Sequence, residues 1–229
     1  MAVQSSESSP IWCAVRVSSI SLGFGAPPSH VELSYPVAAM TASARKLATY
    51  ADLLALPEDV RAELIDGTIV TQPGALPRHT RVQRVLGWAI GKPYDDDDGR
   101  GGPGGWWIFP EVDVAFGPRD VVRPDVSGWR RERLPDPGDL RPITIIPDWI
   151  CEVHSPSTGA LDRVTKRRMY ARAGVAYYWL IDPAERVVEA LALRDNEWRE
   201  IGVYDDTAVA RIEPFADVEL EVGRLFLPR

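Results

Sequence analysis

The chain has 229 residues, 45% of them apolar and 26% charged, which is enough material for one core of ordinary size. No stretch approaches the roughly 18 uncharged apolar residues of a membrane-spanning helix. A formal net charge of −7 argues against tight, sequence-independent adhesion to nucleic acid by the molecule as a whole, but it leaves room for a local basic patch or a bound cation.

Residues 1–39 are rich in Ser, Pro and Gly without a clean period, a composition expected of a disordered extension. Arg16 and several serines interrupt the apolar stretch 11–25, and Glu7 stands where an export signal would carry positive charge, so export is rejected. Cys13 and Cys151 are too few for a disulfide framework, and a reducing cytoplasm is the expected compartment. Met40 begins a segment that reads as a natural N-terminus, and the domain is expected over 40–229.

Thr49 to Leu56 reads as a short helix capped by Thr49 and stopped near Pro57. Asp66-Gly67, between two short apolar runs, predicts a hairpin. Pro73 to Pro77 is loop, and Val82, Val85, Leu86 and Ala89 give an amphipathic helix over Arg78 to Ile90. Residues 91–105 read as a solvated loop. Its run Asp95 to Asp98 lacks the ligand spacing of a calcium loop, and its glycines lack the Gly-Lys-Ser/Thr ending of a phosphate loop.

Three strand signals follow: Trp107 to Phe116, Val121 to Trp129, and Thr144 to Val153, the last buried from Trp149 onward. Ser157-Thr158 can cap a helix from about Gly159 to Ala173, closed by Gly174. Val175 to Ile181 is a strand. Glu185 to Leu193 and Trp198 to Tyr204 form a hairpin turning at Asp195-Asn196, and a strand pair at Ala208–Ile212 and Val218–Val222 ends the domain. The order helix, three strands, helix, strand predicts an α/β (α+β) domain around a mixed sheet, with hairpins at both ends.

Chemistry concentrates in Asp125, which follows Pro124, and in Glu152 within an apolar strand. A buried carboxylate requires a partner or a cation. Two carboxylates from neighbouring strands, with the Val153 backbone carbonyl as a third ligand, offer the hard oxygens that Mg²⁺ prefers. Helical spacing puts Asp162, Lys166, Met169 and Tyr170 on one face, with Lys166 near the end of the strand bearing Glu152. Arg163, Arg167, Arg168 and Arg172 make the rest of that helix basic, which suits contact with a phosphate backbone. This pattern suits a metal-dependent phosphodiesterase. Set against it, Asp125 and Glu152 could be ordinary partners of arginines, and Lys166 could form a simple i,i+4 pair with Asp162. Cys151 and His154 face opposite sides of their strand and have no second pair, which speaks against zinc. His79, at a helix start, has a surface or capping reading, and His30 lies in the extension.

Several fragments, in this order and spacing, resemble the Uma2 family of the PD-(D/E)xK, restriction-endonuclease-like superfamily. They are Glu63-Leu64-Ile65-Asp66-Gly67, His79, Arg123-Pro124-Asp125-Val126, Glu152-Val153, Ser155-Pro156-Ser157-Thr158, Asp162, Lys166, Tyr170, Gly174-Val175 and Tyr178-Trp179-Leu180-Ile181-Asp182-Pro183, over roughly Leu47 to Leu227. The resemblance implies a restriction-endonuclease-like core in which Asp125 and Glu152 bind Mg²⁺ or Mn²⁺. The superfamily lysine normally lies two residues after the Glu. Here that position is His154, and the lysine function falls to Lys166 on the helix. Glu63, His79, His154 and Asp162 then border the site, and Arg163 and Arg167 would contact phosphate. The implied activity is metal-dependent endonucleolytic hydrolysis of DNA, with RNA as a second substrate class, a homodimer allowed and no membrane partner. The alternative is a catalytically inert module of the same fold that binds nucleic acid or a protein.

Overall fold

The computed structural model describes residues 46–96, 102–155 and 161–229, the first three of the last segment as backbone alone. The expected N-terminal extension, the start at Met40, Asp97-Asp98 and the Ser157-Thr158 cap lie outside the described residues. Among those described, no helix is long and apolar enough to cross a membrane.

Helix α1 (Tyr50–Leu54) opens with the expected Thr49 cap, completed by Asp52, whose carboxylate accepts the Thr49 backbone N–H at 2.8 Å. Strands β1 (Ala62–Ile65) and β2 (Thr68–Thr71) form the predicted hairpin. Asp66 and Gly67 both take positive φ, 46° and 67°, as a two-residue turn matching strand twist demands. Helix α2 (Pro77–Leu86) has Pro77 in its first turn, where no N–H is needed. It does not stop at Ile90: a π-helical turn, Gly87–Gly91, leads into a short helix α3 (Lys92–Tyr94). Burial explains the extension. Ile90 and Tyr94 lie one turn apart and both bury, Tyr94 meeting the Phe215 ring edge-on at 4.8 Å.

Two of the expected long strands are each broken into two. Trp107–Phe116 becomes β3 (Trp106–Pro110) and β4 (Val114–Gly117), separated by Glu111 at φ 50°. Val121–Trp129 becomes β5 (Asp120–Val122) and β6 (Val126–Arg130). At this second break Pro124 has no N–H for a ladder, and the Arg123 N–H goes instead to the Glu63 side chain at 2.8 Å. The chain therefore crosses from one sheet to another at Arg123-Pro124-Asp125.

One sheet is antiparallel, in the order β2-β1-β5-β4. The other is mixed and six-stranded. It adds to β3 and β6 the strands β7 (Trp149–Val153), β8 (Tyr177–Asp182), and the hairpin of β9 (Val187–Arg194) with β10 (Glu197–Asp205), whose turn has Asp195 and Asn196 at positive φ. The strand order is β10-β9-β8-β7-β6-β3. β7 and β8 are parallel, joined by a π-helical stretch, Leu161–Lys166, that continues into α4 (Arg167–Ala173) and ends on left-handed Gly174. Around this sheet the predicted order holds: α2, then β3, β6 and β7, then the crossover helix, then β8. The last strand pair is shorter than expected, β11 (Val209–Ala210) with β12 (Leu220–Glu221).

Strand alternation assigns the two faces of β7. Trp149, Cys151 and Val153 pack with Val82, Val85 and Leu86 of α2. Ile150 packs on the other side with Met169 and Tyr170 of α4 and with Ile65 and Val122 of the antiparallel sheet. Glu152 follows Ile150 onto that second side.

Candidate active site

The sheet crossing delivers Asp125 to the start of β6, beside the end of β7. Its Oδ2 accepts the Val153 N–H at 2.7 Å, and its own N–H lies 3.4 Å from Glu152 Oε2. In extended backbone the carbonyl of a residue leaves on the same side as its N–H, so the Val153 carbonyl faces the Asp125 side of β7.

Glu152 and Glu63 are each 2% exposed, and Lys166 between them is also 2% exposed. The Lys166 ammonium sits 3.1 Å from Glu152 Oε1 and 2.9 Å from Glu63 Oε1. The Tyr170 hydroxyl, one helical turn beyond Lys166, donates to the same Glu152 Oε1 at 2.5 Å. Burial, then the charges of Glu152 and Glu63, push this phenol well above the usual tyrosine range, so it stays neutral and donates. Glu63 is completed by the Gln72 side-chain amide at 2.6 Å.

Helix α2 closes the other side. His79 Nε2 lies 2.8 Å from Asp125 Oδ1, and the Gln83 amide, one turn on, donates to the same oxygen at 3.2 Å and to Glu111 Oε1 at 3.1 Å. Burial raises the Glu111 carboxyl, but hydrogen bonds from Arg61 and Gln83 outweigh it and hold the group below its ordinary range. Behind the crossing, Asp113 accepts from Arg123 at 2.8 Å, Arg141 at 3.1 Å and the Tyr50 hydroxyl at 2.9 Å. The side chain of Arg123 thus anchors the segment that carries Asp125, while its backbone anchors Glu63.

Of the residues singled out in the sequence, Asp125, Glu152, Lys166, Glu63 and His79 come together, with Val153 between the first two. His154 stands apart: it has passed the end of β7, its Nε2 is 3.8 Å from Asp182 Oδ2, and its enclosed Nδ1 has no partner among the described residues. The side chains of Asp162 and Arg163 lie outside the described residues. Arg167 is turned to Glu189 at 3.4 Å. Cys151 is on the far face of β7, where burial, reinforced by Asp125 and Glu152, pushes its thiol well up and leaves it a neutral core residue. Sequence reasoning missed Gln83, Gln72 and Glu111, and it placed Tyr170 on the Lys166 face of its helix without giving it a role. The i,i+4 spacing of His79 and Gln83 was the available signal.

The profile of the family Uma2, described as "Putative restriction endonuclease", matches residues 47–223. The chain belongs to the Uma2 family. Among solved structures, one described as "a putative nuclease belonging to DUF820" from Anabaena variabilis matches with a TM-score of 0.62 and 24% identity. The match covers 77% of this chain and 96% of that one, and it establishes likeness of fold. No curated protein matches.

The donor set of this Uma2 site suits a hard divalent ion. Three carboxylates, Glu63, Asp125 and Glu152, converge at low exposure, Lys166 facing the two glutamates and His79 the aspartate, so hard oxygen donors are gathered at the ends of two strands. Among the described residues no group of three or more His, Cys, Asp or Glu side chains is arranged to hold one ion. By their chemistry, the residues that could hold such an ion are Asp125 and Glu152, with the Val153 carbonyl and water completing its shell.

Proposed function

We propose that this Uma2 protein is a metal-dependent endonuclease that hydrolyses DNA phosphodiester bonds, with Mg²⁺ or Mn²⁺ as its ion. The observation that carries the reading is the meeting of Asp125, Glu152 and Lys166 at the ends of β6 and β7. Asp125, Glu152 and the Val153 carbonyl would hold the ion. Once bound, the ion would polarise the phosphate and acidify a water. Lys166 orients the attacking water and offsets charge that develops on the phosphorane. Tyr170 and Glu63 fix Lys166 and Glu152 relative to each other, and His79 and Gln83 fix the rotamer of Asp125. The test is cleavage of supercoiled plasmid by the full chain with Mg²⁺ or Mn²⁺. Asp125→Asn and Glu152→Gln are expected to lose at least about 100-fold in rate while keeping wild-type circular dichroism. Cleavage at the wild-type rate by either variant would sink the assignment.

A second reading, an inert module of the same fold that binds nucleic acid or a protein, draws on the net charge of −7 and on the enclosure of Lys166 between two carboxylates. It predicts that no divalent ion binds at Asp125 and Glu152.

A further inference from the structure

Residues 77–94, the length of α2, the π-helical turn and α3, contain Arg78, Arg81, Arg84 and Lys92 and no acidic residue, within a chain of net charge −7. The inner edge of this helix holds His79 and Gln83 on Asp125. Its outer side carries Arg84, Trp88 and Lys92 at steps of four, a run of about 12 Å. Trp88 is 62% exposed, which is unusual for the largest apolar side chain. Among the described residues, Arg78, Arg84 and Lys92 have no carboxylate partner. Of the nearby acids, Glu221 pairs with Arg224 at 2.9 Å, Asp95 with Arg131 at 3.4 Å and Glu219 with Arg211 at 3.5 Å, while Asp96, on the wall beside Lys92, has no basic partner among the described residues. Arg78, Arg84 and Lys92 against Asp96 leave the unpartnered charge of this face positive on balance within an acidic whole, which favours a polyanion along the arginine side.

Two further features concern the indole itself. Gly87 and Gly91 flank it with helical φ values of −56° and −59°, and a Cβ built on either would meet nothing within 4 Å. Neither conformation nor packing demands glycine there, and two glycines in a helix cost stability. They leave the backbone on both sides of the indole uncovered. Beside Trp88 lies a cavity of about 520 Å³ with an apolar wall that includes Val85, Ala89 and Leu220 and a charged rim of Lys92, Arg224, Asp96, Glu219 and Glu221. A flat apolar ring has room to enter.

We propose that this face binds single-stranded DNA, with an unpaired base stacked on Trp88 at the mouth of the cavity and phosphates on Arg84 and Lys92. A base shows its face to an aromatic side chain only when it is unstacked, so Trp88 selects single strand over duplex, while the arginines serve either. The strand would then run along α2 toward Asp125. The proposal rests on the nuclease reading for the fate of the strand, though not for its binding.

The experiment measures fluorescence anisotropy of one labelled mixed-sequence DNA oligonucleotide, alone and annealed to its complement, with the full chain in EDTA so that nothing is cleaved. Trp88→Ala is expected to weaken single-strand binding about ten-fold or more, and Trp88→Phe to retain most of it. Arg84→Gln should weaken both forms and lower the salt slope by about one. Gly87→Ala should raise the melting temperature yet weaken single-strand binding. Unchanged single-strand affinity in Trp88→Ala, an equal loss on duplex, or no binding of the single strand by wild type overturns the proposal whatever plasmid cleavage shows. Binding with these dependences but no cleavage of either the single-stranded oligonucleotide or plasmid in Mg²⁺ or Mn²⁺ supports the face and defeats the nuclease reading.

Discussion

Lys166 lies 2.9 Å from Glu63, which joins the crossover helix of the six-stranded sheet to the first strand of the antiparallel one. Both are nearly free of solvent contact, so neither charge can be removed singly without leaving the other groups short of a partner. Lys166→Met is expected to cost about 3–5 kcal/mol, because Glu63 and Glu152 remain buried without their cation. Lys166→Met combined with Glu63→Gln should cost clearly less than the sum of the two single changes. Urea denaturation of all four proteins reads the coupling, and additive losses would mean that the pair does not interact as described.

Tyr170 gives a prediction at alkaline pH. Its phenol is raised well above the ordinary value by burial and by the Glu152 and Glu63 charges. A raised folded-state value means that the contribution is complete below the unfolded value, about 10, and is lost as pH rises through the interval up to the folded value. Tyr170→Phe should lose about 1.5–3 kcal/mol at pH 7, the worth of a hydrogen bond to a charged acceptor. That deficit should shrink above about pH 10. Melting temperatures from neutral pH to pH 11 check this, and a deficit constant across that range contradicts it.

Asp113 behaves in the opposite sense. Burial raises its carboxyl, but Arg123 and Arg141 outweigh burial and hold it below the ordinary aspartate range. A depressed folded-state value contributes stability above the unfolded value, about 4, and that stability disappears as pH falls through the folded value. Asp113→Ala is therefore expected to cost about 3 kcal/mol at pH 7 and much less at strongly acid pH. Because Arg123 also anchors the segment that carries Asp125, the variant should lose plasmid cleavage in addition to stability.

The uneven legibility of this site in the sequence has physical reasons. Glu152 stood out because a charge in a five-residue buried strand requires a partner, and Lys166 because helical spacing aims it at the end of that strand. Asp125 was legible through Pro124, and in the fold the proline ends one strand so that the chain can change sheets. The meeting of Glu63 with Lys166 depends on which hairpin packs over which helix, and no local pattern encodes that. The break at Glu111 was invisible because glutamate has no preference for its left-handed φ. The π-helical turn at Gly87–Gly91 likewise leaves no period that differs from that of an α-helix over so few residues.

The ion itself supplies the sharpest division between an enzyme and an inert relative. If Asp125, Glu152 and the Val153 carbonyl form a site, Mg²⁺ or Mn²⁺ binds the folded chain and not the unfolded one, and mass action stabilises the fold. At about 100 times the dissociation constant the gain is about 2.7 kcal/mol, a shift visible in a melting curve. Asp125→Asn and Glu152→Gln should each abolish the shift and the calorimetric heat. Glu63→Gln should keep most of both, since Glu63 serves Lys166 and the Arg123 N–H rather than the ion. The converse pattern, loss in Glu63→Gln and retention in Asp125→Asn, would relocate the ion to the Glu63 and Glu152 side of the lysine. No shift and no heat in the wild type with either ion would leave Lys166 as the resident cation of the site and favour the inert module.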